Sequence, residues 1–225
     1  MNALLPVRFY LTIQEKGKMD KRLNLIRKER ERELKEGLKF SNSLISNLFP
    51  GPGGLLVNPV VKTLFGWFGM ERAREEGLAQ LDYILKCSSL SKTEKDIEQV
   101  GEEKFKEYLR YNIVYRRSDK KNEKFPQLEN LLKQGFKLRL KFYSKLLSVE
   151  GNSYEELLKN SHQKREALEF INKQFVVVDK ALNLAEETPA LLKIPFFIKK
   201  EALRVLREGF GFARSSFEER IEEIY

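Results

Sequence analysis

The chain has 225 residues, 41% hydrophobic and 33% charged, a balance that excludes both a disordered tail and a membrane bundle and is enough for a proper core. Its 33 acidic residues include only five Asp, and that bias favours helix, because Glu loses little on entering one whereas Asp competes for the backbone in turns. The net charge of +9 suits an anionic partner.

The positive charge sits in two blocks. Residues 1–40 carry 11 basic and 6 acidic groups and residues 119–150 carry 8 and 4. Residues 71–118 balance at 10 and 10, and 151–225 come to 12 and 13. Cys87 is the only cysteine, so no intrachain disulfide forms and a reducing compartment is expected. Residues 1–18 lack the basic start, apolar stretch and small-residue site of a secretory signal. The expected location is the cytoplasm, with attachment to the inner face of a membrane as its extension.

In chain order, residues 1–18 read as an N-terminal arm. Val7, Phe9, Leu11 and Ile13 alternate with Arg8, Tyr10 and Thr12, which is strand period and leaves an edge strand, an arm or a short helix open. Residues 19–225 read as one helical domain. A first helix runs from Met19 to Phe49 and ends at Pro50-Gly51-Pro52-Gly53-Gly54. Asn58-Pro59 opens a second that reaches Cys87. Ser91 with Glu94 predicts a capping box and a third helix to Arg117. Pro126 opens a fourth, ending near Ser148. Ser153 and Glu156 predict a second capping box and a long fifth helix stopping before Pro189. A sixth follows Pro195 to the C-terminus. Short connections between six helices predict an all-α, antiparallel bundle.

Catalytic chemistry finds little support in these residues. His162 is the only histidine and, within Ser161-His162-Gln163-Lys164-Arg165, reads as a solvated side chain. Cys87 reads as a small half-buried residue. Gly51–Gly54 lacks the Gly-Lys-Ser/Thr of a phosphate loop, and Gly209-Phe210-Gly211 is followed by Arg214 where a dinucleotide fingerprint needs glycine. No cofactor or metal is expected.

Three surface features stand out. Lys133, Lys137, Lys141 and Lys145 fall on one side of the fourth helix and form a candidate anion-binding stripe. It is open either to sequence-independent nucleic-acid binding or to internal pairing, for which Glu218, Glu219, Glu222 and Glu223 are the expected carboxylates. Tyr108, Tyr111 and Tyr115 share a face with Ile97 and Val100, away from Lys106 and Arg110, and so read as core rather than base-stacking platforms. Arg139 joins the anion-binding candidates from within the apolar arc of the same helix. It must find a carboxylate or carbonyl, or snorkel to the edge.

The segment Leu48–Met70 carries a single charge, Lys62. Prolines and glycines break it too early for a membrane span. It reads as a core hairpin or as a surface for a partner or lipid, with Phe49, Leu55, Leu56, Phe65, Trp67 and Phe68 as contact candidates. Gly66, Gly69, Ala73 and Gly77 share a narrow arc suited to close helix packing, in the core or in self-association. The leading expectation is therefore a non-catalytic binding or scaffold protein using residues 48–70 for a protein partner or an anionic membrane surface. Nucleic-acid binding through residues 133–145 is the alternative, and the third reading is an enzyme or small-ligand carrier whose site the sequence does not display.

Overall fold

The computed structural model of the chain describes residues 13–48, 70–188, 190–193 and 199–225, with the side chains of 13–15, 38–48, 70–74 and 113 outside that description. The described residues are all-α, with nine helices: α1 (Ile13–Leu48), α2 (Met70–Ser89), α3 (Glu94–Glu103), α4 (Phe105–Tyr108), α5 (Ile113–Arg116), α6 (Phe125–Ser148), α7 (Tyr154–Ser161), α8 (Lys164–Glu187) and α9 (Lys199–Ile224). A single 3-10 turn, Leu109–Tyr111, lies between α4 and α5.

Five long helices close a ring in which α1 packs on α2, α2 on α6, α6 on α8, α8 on α9 and α9 back on α1. Side-chain contacts give the directions. Arg27 meets Asp82 and Leu34 meets Gly77, so α1 and α2 are antiparallel. Phe142 stacks on Phe170 and Lys145 pairs with Glu166, which sets α6 antiparallel to α8. Lys164–Glu222 and Glu186–Arg207 do the same for α8 and α9. One pair departs from the antiparallel expectation: Gln80 meets Arg139 and Ser88 meets Ser144, so α2 and α6 run in the same sense. A parallel pair needs a crossover between its members, and α3 to α5 supply it.

The core centres on α6. Phe136, Leu140, Phe142, Tyr143, Leu146 and Leu147 are buried there among Ile26 of α1, Ile84 of α2, Leu157 and Leu158 of α7, and Phe217 and Ile221 of α9. A second cluster, including Leu128, Leu182, Leu191 and Leu203, fills the end of the bundle where α6, α8 and α9 meet. It is closed by an antiparallel bridge: Asp119 N–H donates to the Leu191 carbonyl and Lys193 N–H to that of Arg117, both at 2.8 Å.

Several boundaries differ from the sequence reading. Residues 13–18, read as part of the arm, belong to α1, and with them Ile13 of the alternating pattern; residues 1–12, and the rest of that pattern, lie outside the described residues. Contacts with the α6–α7 loop carry the helix through Gly17: Lys18 pairs with Glu150, Lys21 reaches Asn152, and Arg22 donates to the Val149 carbonyl. The cap of α3 is Thr93 with Asp96, not Ser91 with Glu94. Ser91 is buried, and its hydroxyl is engaged with the Cys87 carbonyl at the end of α2.

The expected third helix is divided at Lys104 and again at Asn112, whose side chain accepts from Tyr115 N–H and donates to the Tyr108 hydroxyl. Asparagine stabilises a break of this kind because it supplies the hydrogen bond an interrupted backbone needs. The expected fifth helix is two helices. Ser153 does cap α7, through Glu156 N–H, while the Glu156 carboxylate takes the N–H of Asn152. The chain then becomes extended at His162 and Gln163 and restarts as α8, with Glu166 accepting from Gln163 N–H.

Candidate binding surfaces

The four lysines of α6 do lie in one row. The row faces α3, which runs antiparallel beside it: Lys133 pairs with Glu102, Lys137 with both Glu98 (2.5 Å) and Glu102 (2.9 Å), and Lys141 with Glu94 (2.6 Å). Lys145 pairs with Glu166 of α8 at 3.1 Å. Steps of four residues rise about 6 Å on either helix, so the two rows stay in register along their length. The interior-pairing expectation is met by carboxylates other than the four C-terminal ones; of those, Glu222 reaches a lysine, Lys164. The pairs leave their mark on ionisation. Lys133 and Lys137 hold the Glu102 carboxyl below its usual range, Lys141 does so for Glu94, and Glu98 and Glu102 push the Lys137 ammonium up. The row is thus a zipper that fastens α3, with the Lys137 stem lying against Gly101, where a methyl group would come within 3.0 Å of it.

Arg139 is half-buried and donates to the Gln80 amide oxygen at 3.4 Å. Gln80 donates in turn to the Tyr108 hydroxyl at 3.0 Å. Tyr108 is buried and stacks on Phe136 with centroids 4.3 Å apart, as its place among the apolar positions predicted. Tyr111 stacks on Tyr83 at 5.0 Å and is partly exposed.

The sequence reading missed a half-buried charged cluster around Glu29. Arg30 of α1 lies with its guanidinium carbon 5.7 Å from the Tyr143 ring and 5.4 Å from the Phe217 ring, and pairs with Glu33. Burial opposes its charge but is outweighed by Glu33, Tyr143 and Tyr154, so its pKa is pushed up. Beside it Arg220 of α9 bridges Glu155 of α7 and Glu29 of α1, the latter at 3.8 Å. Burial pushes the Glu29 carboxyl up. The buried hydroxyl of Tyr154 and the Arg30 Nε have no hydrogen-bond partner among the described residues. The alternating charges Glu29-Arg30-Glu31-Arg32-Glu33 hide this cluster in the sequence, although Arg30 follows Ile26 by four and so shares its face.

His162 is a correction. It is buried, not solvated, with its ring 4.5 Å from that of Phe142 and Nδ1 2.7 Å from the Ser161 hydroxyl. Burial, reinforced by Lys145, lowers its pKa to about 4. The Tyr225 hydroxyl lies 3.0 and 2.7 Å from the carbonyls of Leu158 and His162, tying the end of α9 to the α7–α8 joint. Cys87 is fully rather than half buried, and burial pushes its thiol pKa up. Among the described residues no group of three or more His, Cys, Asp or Glu is placed to hold a metal ion.

A groove of about 800 Å³ runs along α8 beside α6. Leu138 and Gln134 of α6 form one wall; Leu168, Val176 and Val177 of α8 supply apolar surface, with Lys164, Arg165, Glu169 and Lys173 along it. Val176 is 51% exposed. The sequence carried a signal for this surface in Phe175-Val176-Val177-Val178, four apolar residues in a row. No helix can bury such a run on one side.

Phe49, Leu55, Leu56, Phe65, Gly66, Trp67, Phe68 and Gly69 lie outside the described residues, as does the side chain of Ala73. Gly77 does face a close approach, since a methyl group there would come within 3.3 Å of Leu34. Among the described residues no helix is long and apolar enough to cross a membrane. These features define an all-α helical-bundle protein with a zippered basic row and one apolar groove. No protein-family model, curated protein or solved structure matches the chain.

Proposed function

We propose that the chain is a non-catalytic helical binding or scaffold protein. In this reading it acts in the cytoplasm or at the inner face of a membrane, and residues 48–70 engage a protein partner or an anionic membrane surface. The observation that supports it is the zipper. Lys133, Lys137, Lys141 and Lys145 each already face a carboxylate of α3 or α8, so the surface that would have favoured nucleic acid is engaged within the fold. The low-charge segment 48–70 is then the strongest contact feature in the sequence.

The test uses Trp67, the single tryptophan. Its emission is recorded in buffer and with anionic vesicles, and duplex binding is titrated against salt in parallel. Red emission that moves to the blue on vesicle addition assigns the segment to a membrane surface. Red emission indifferent to vesicles assigns it to a protein partner. Blue emission indifferent to vesicles, together with duplex binding that falls steeply with salt and is abolished by Lys133→Glu, Lys137→Glu and Lys141→Glu, sinks the proposal in favour of nucleic acid.

A further inference from the structure

The groove between α6 and α8 combines an apolar floor with a cationic margin. Val176 points outward from a helix whose core face is already filled by Phe175 and Leu182. A β-branched residue gains nothing for an exposed helical position, because it loses χ1 freedom there without packing in return. Leu138 and Val177 continue the apolar surface toward α6. Along the groove stand Lys164, Arg165 and Lys173 against one carboxylate, Glu169. Lys173 pairs with Glu169 at 2.6 Å and Lys164 with Glu222 at 2.5 Å, while exposed Arg165 makes no ion pair among the described residues.

We propose that this groove is the docking site for an acidic amphipathic helix of a partner protein. Three properties select that occupant. From Lys164 to Val177 the groove follows α8 for about 20 Å, which is close to four turns of a docked helix. The apolar floor asks for an apolar stripe, which a nucleic-acid backbone lacks, and the helix-in-groove mode reads such a stripe at i, i+3/i+4 and i+7. With Lys164 and Lys173 already paired, Arg165 is the cation left to ask for a carboxylate at the edge of the docked helix, and a second copy of the same face would set one Arg165 against another. A bilayer surface cannot follow a concave groove between two helices.

The inference rests on the reading of the chain as a binding protein but does not use residues 48–70. The test takes the full chain and a fluorescein-labelled 14-residue model peptide carrying Leu at i, i+3/i+4 and i+7 and Glu at its flanks. A twin peptide carries Lys for Glu. Anisotropy is measured at low and high salt, alongside Trp67 emission and the oligomeric state. The expected result is binding of the acidic peptide alone, several-fold weaker at high salt. Affinity should fall at least tenfold in Val176→Glu and several-fold in Arg165→Ser/Lys173→Ser, all at exposed positions that leave the circular dichroism spectrum unchanged.

Equal binding of the twin peptide, or indifference to both sets of substitutions, overturns the inference. So does self-association that Val176→Glu abolishes without peptide binding. Peptide binding that shifts Trp67 and ignores Val176→Glu would place the contact at residues 48–70, overturning the groove while leaving the binding-protein reading intact. If no peptide binds and Trp67 is blue and indifferent to vesicles, both readings fall together.

Discussion

Truncating Arg30 tests whether its buried charge is a structural rivet or an idle cation. The guanidinium lies within cation–π range of Tyr143 and Phe217, at 5.7 and 5.4 Å, and pairs with Glu33. Breaking a buried pair by removing one partner leaves the other poorly compensated and costs about 3–5 kcal/mol. Two ring contacts add about 0.5–1 kcal/mol each where solvent still reaches the group. The Arg30 side chain is 18% exposed and that of Glu33 28%, which puts the pair at its lower end and, with the two ring contacts, the expected loss for Arg30→Ala at about 4 kcal/mol.

Replacing both partners, Arg30→Met with Glu33→Gln, should recover most of that loss, because the aliphatic stem still fills the space and no unpaired charge is left behind. Urea unfolding of the three variants, followed by circular dichroism, supplies the comparison. A loss below about 1 kcal/mol for Arg30→Ala would refute the reasoning. It would mean that the guanidinium reaches water in solution, and the cluster would then deserve examination as an anion site.

Tyr154→Phe, which removes a buried hydroxyl without a partner among the described residues, should be neutral or stabilising by up to about 1–2 kcal/mol in the same urea assay; clear destabilisation would show that the hydroxyl is bonded. Glu94→Gln, Glu98→Gln and Glu102→Gln together free Lys133, Lys137 and Lys141, so binding to duplex DNA should rise above that of the unaltered chain, with a log–log salt slope of about −3 for roughly three contacts. Equal binding by both proteins would show that the zipper does not mask the row. His162 titrates near 4 in the fold against about 6.5 when unfolded. The unfolded chain therefore binds the proton first, and stability falls as pH drops from about 6.5 to 4, by at most about 3 kcal/mol; His162→Gln should remove that slope from an acid-titrated melting series. At Gly151 a methyl group would stand 2.9 Å from the Leu157 backbone nitrogen, so Gly151→Ala should lower stability by about 1–3 kcal/mol on urea unfolding.

The helical class and the long elements were legible because they rest on local signals. Pro126, the Ser153 cap and the apolar spacing Ala202, Val205, Gly209, Ala213, Phe217, Ile221 and Ile224 of α9 are properties of neighbouring residues; the structure buries five of those seven, while Gly209 is half-buried and Ala213 is exposed. The breaks were not legible. The spacing of four and three that begins at Leu157 continues to Ala185 through the polar Ser161 and Lys164, so periodicity alone does not place the break at His162, and the Gln163–Glu166 cap that restarts α8 is a weak local mark. What stabilises the break is distant: the Phe142 ring beside the imidazole and the Tyr225 hydroxyl on the freed carbonyls. Asn112 behaves alike, since its cap gains from the Tyr108 hydroxyl. The direction of α2 relative to α6 is further from reach still, because it depends on how α3 to α5 fold back.

The candidate surfaces divide along the same line. Spacing alone put four lysines in a row, and Glu94, Glu98 and Glu102 repeat at the same interval. Which acidic row meets which basic one is a matter of register between helices, and the four C-terminal glutamates offered an equally good pattern. Pairing disperses charge without removing it. With Lys18 on Glu150, Lys21 on Asn152 and Arg22 on a carbonyl, the N-terminal basic block is also partly engaged by the fold. The protein still carries +9, so its long-range field attracts anions and speeds their approach. Tight phosphate binding needs contiguous free cations as well, because affinity grows with the number of phosphates neutralised together. A diffuse positive field around apolar contact surfaces favours an acidic partner that is steered by charge and held by burial, which is the chemistry of the α6–α8 groove.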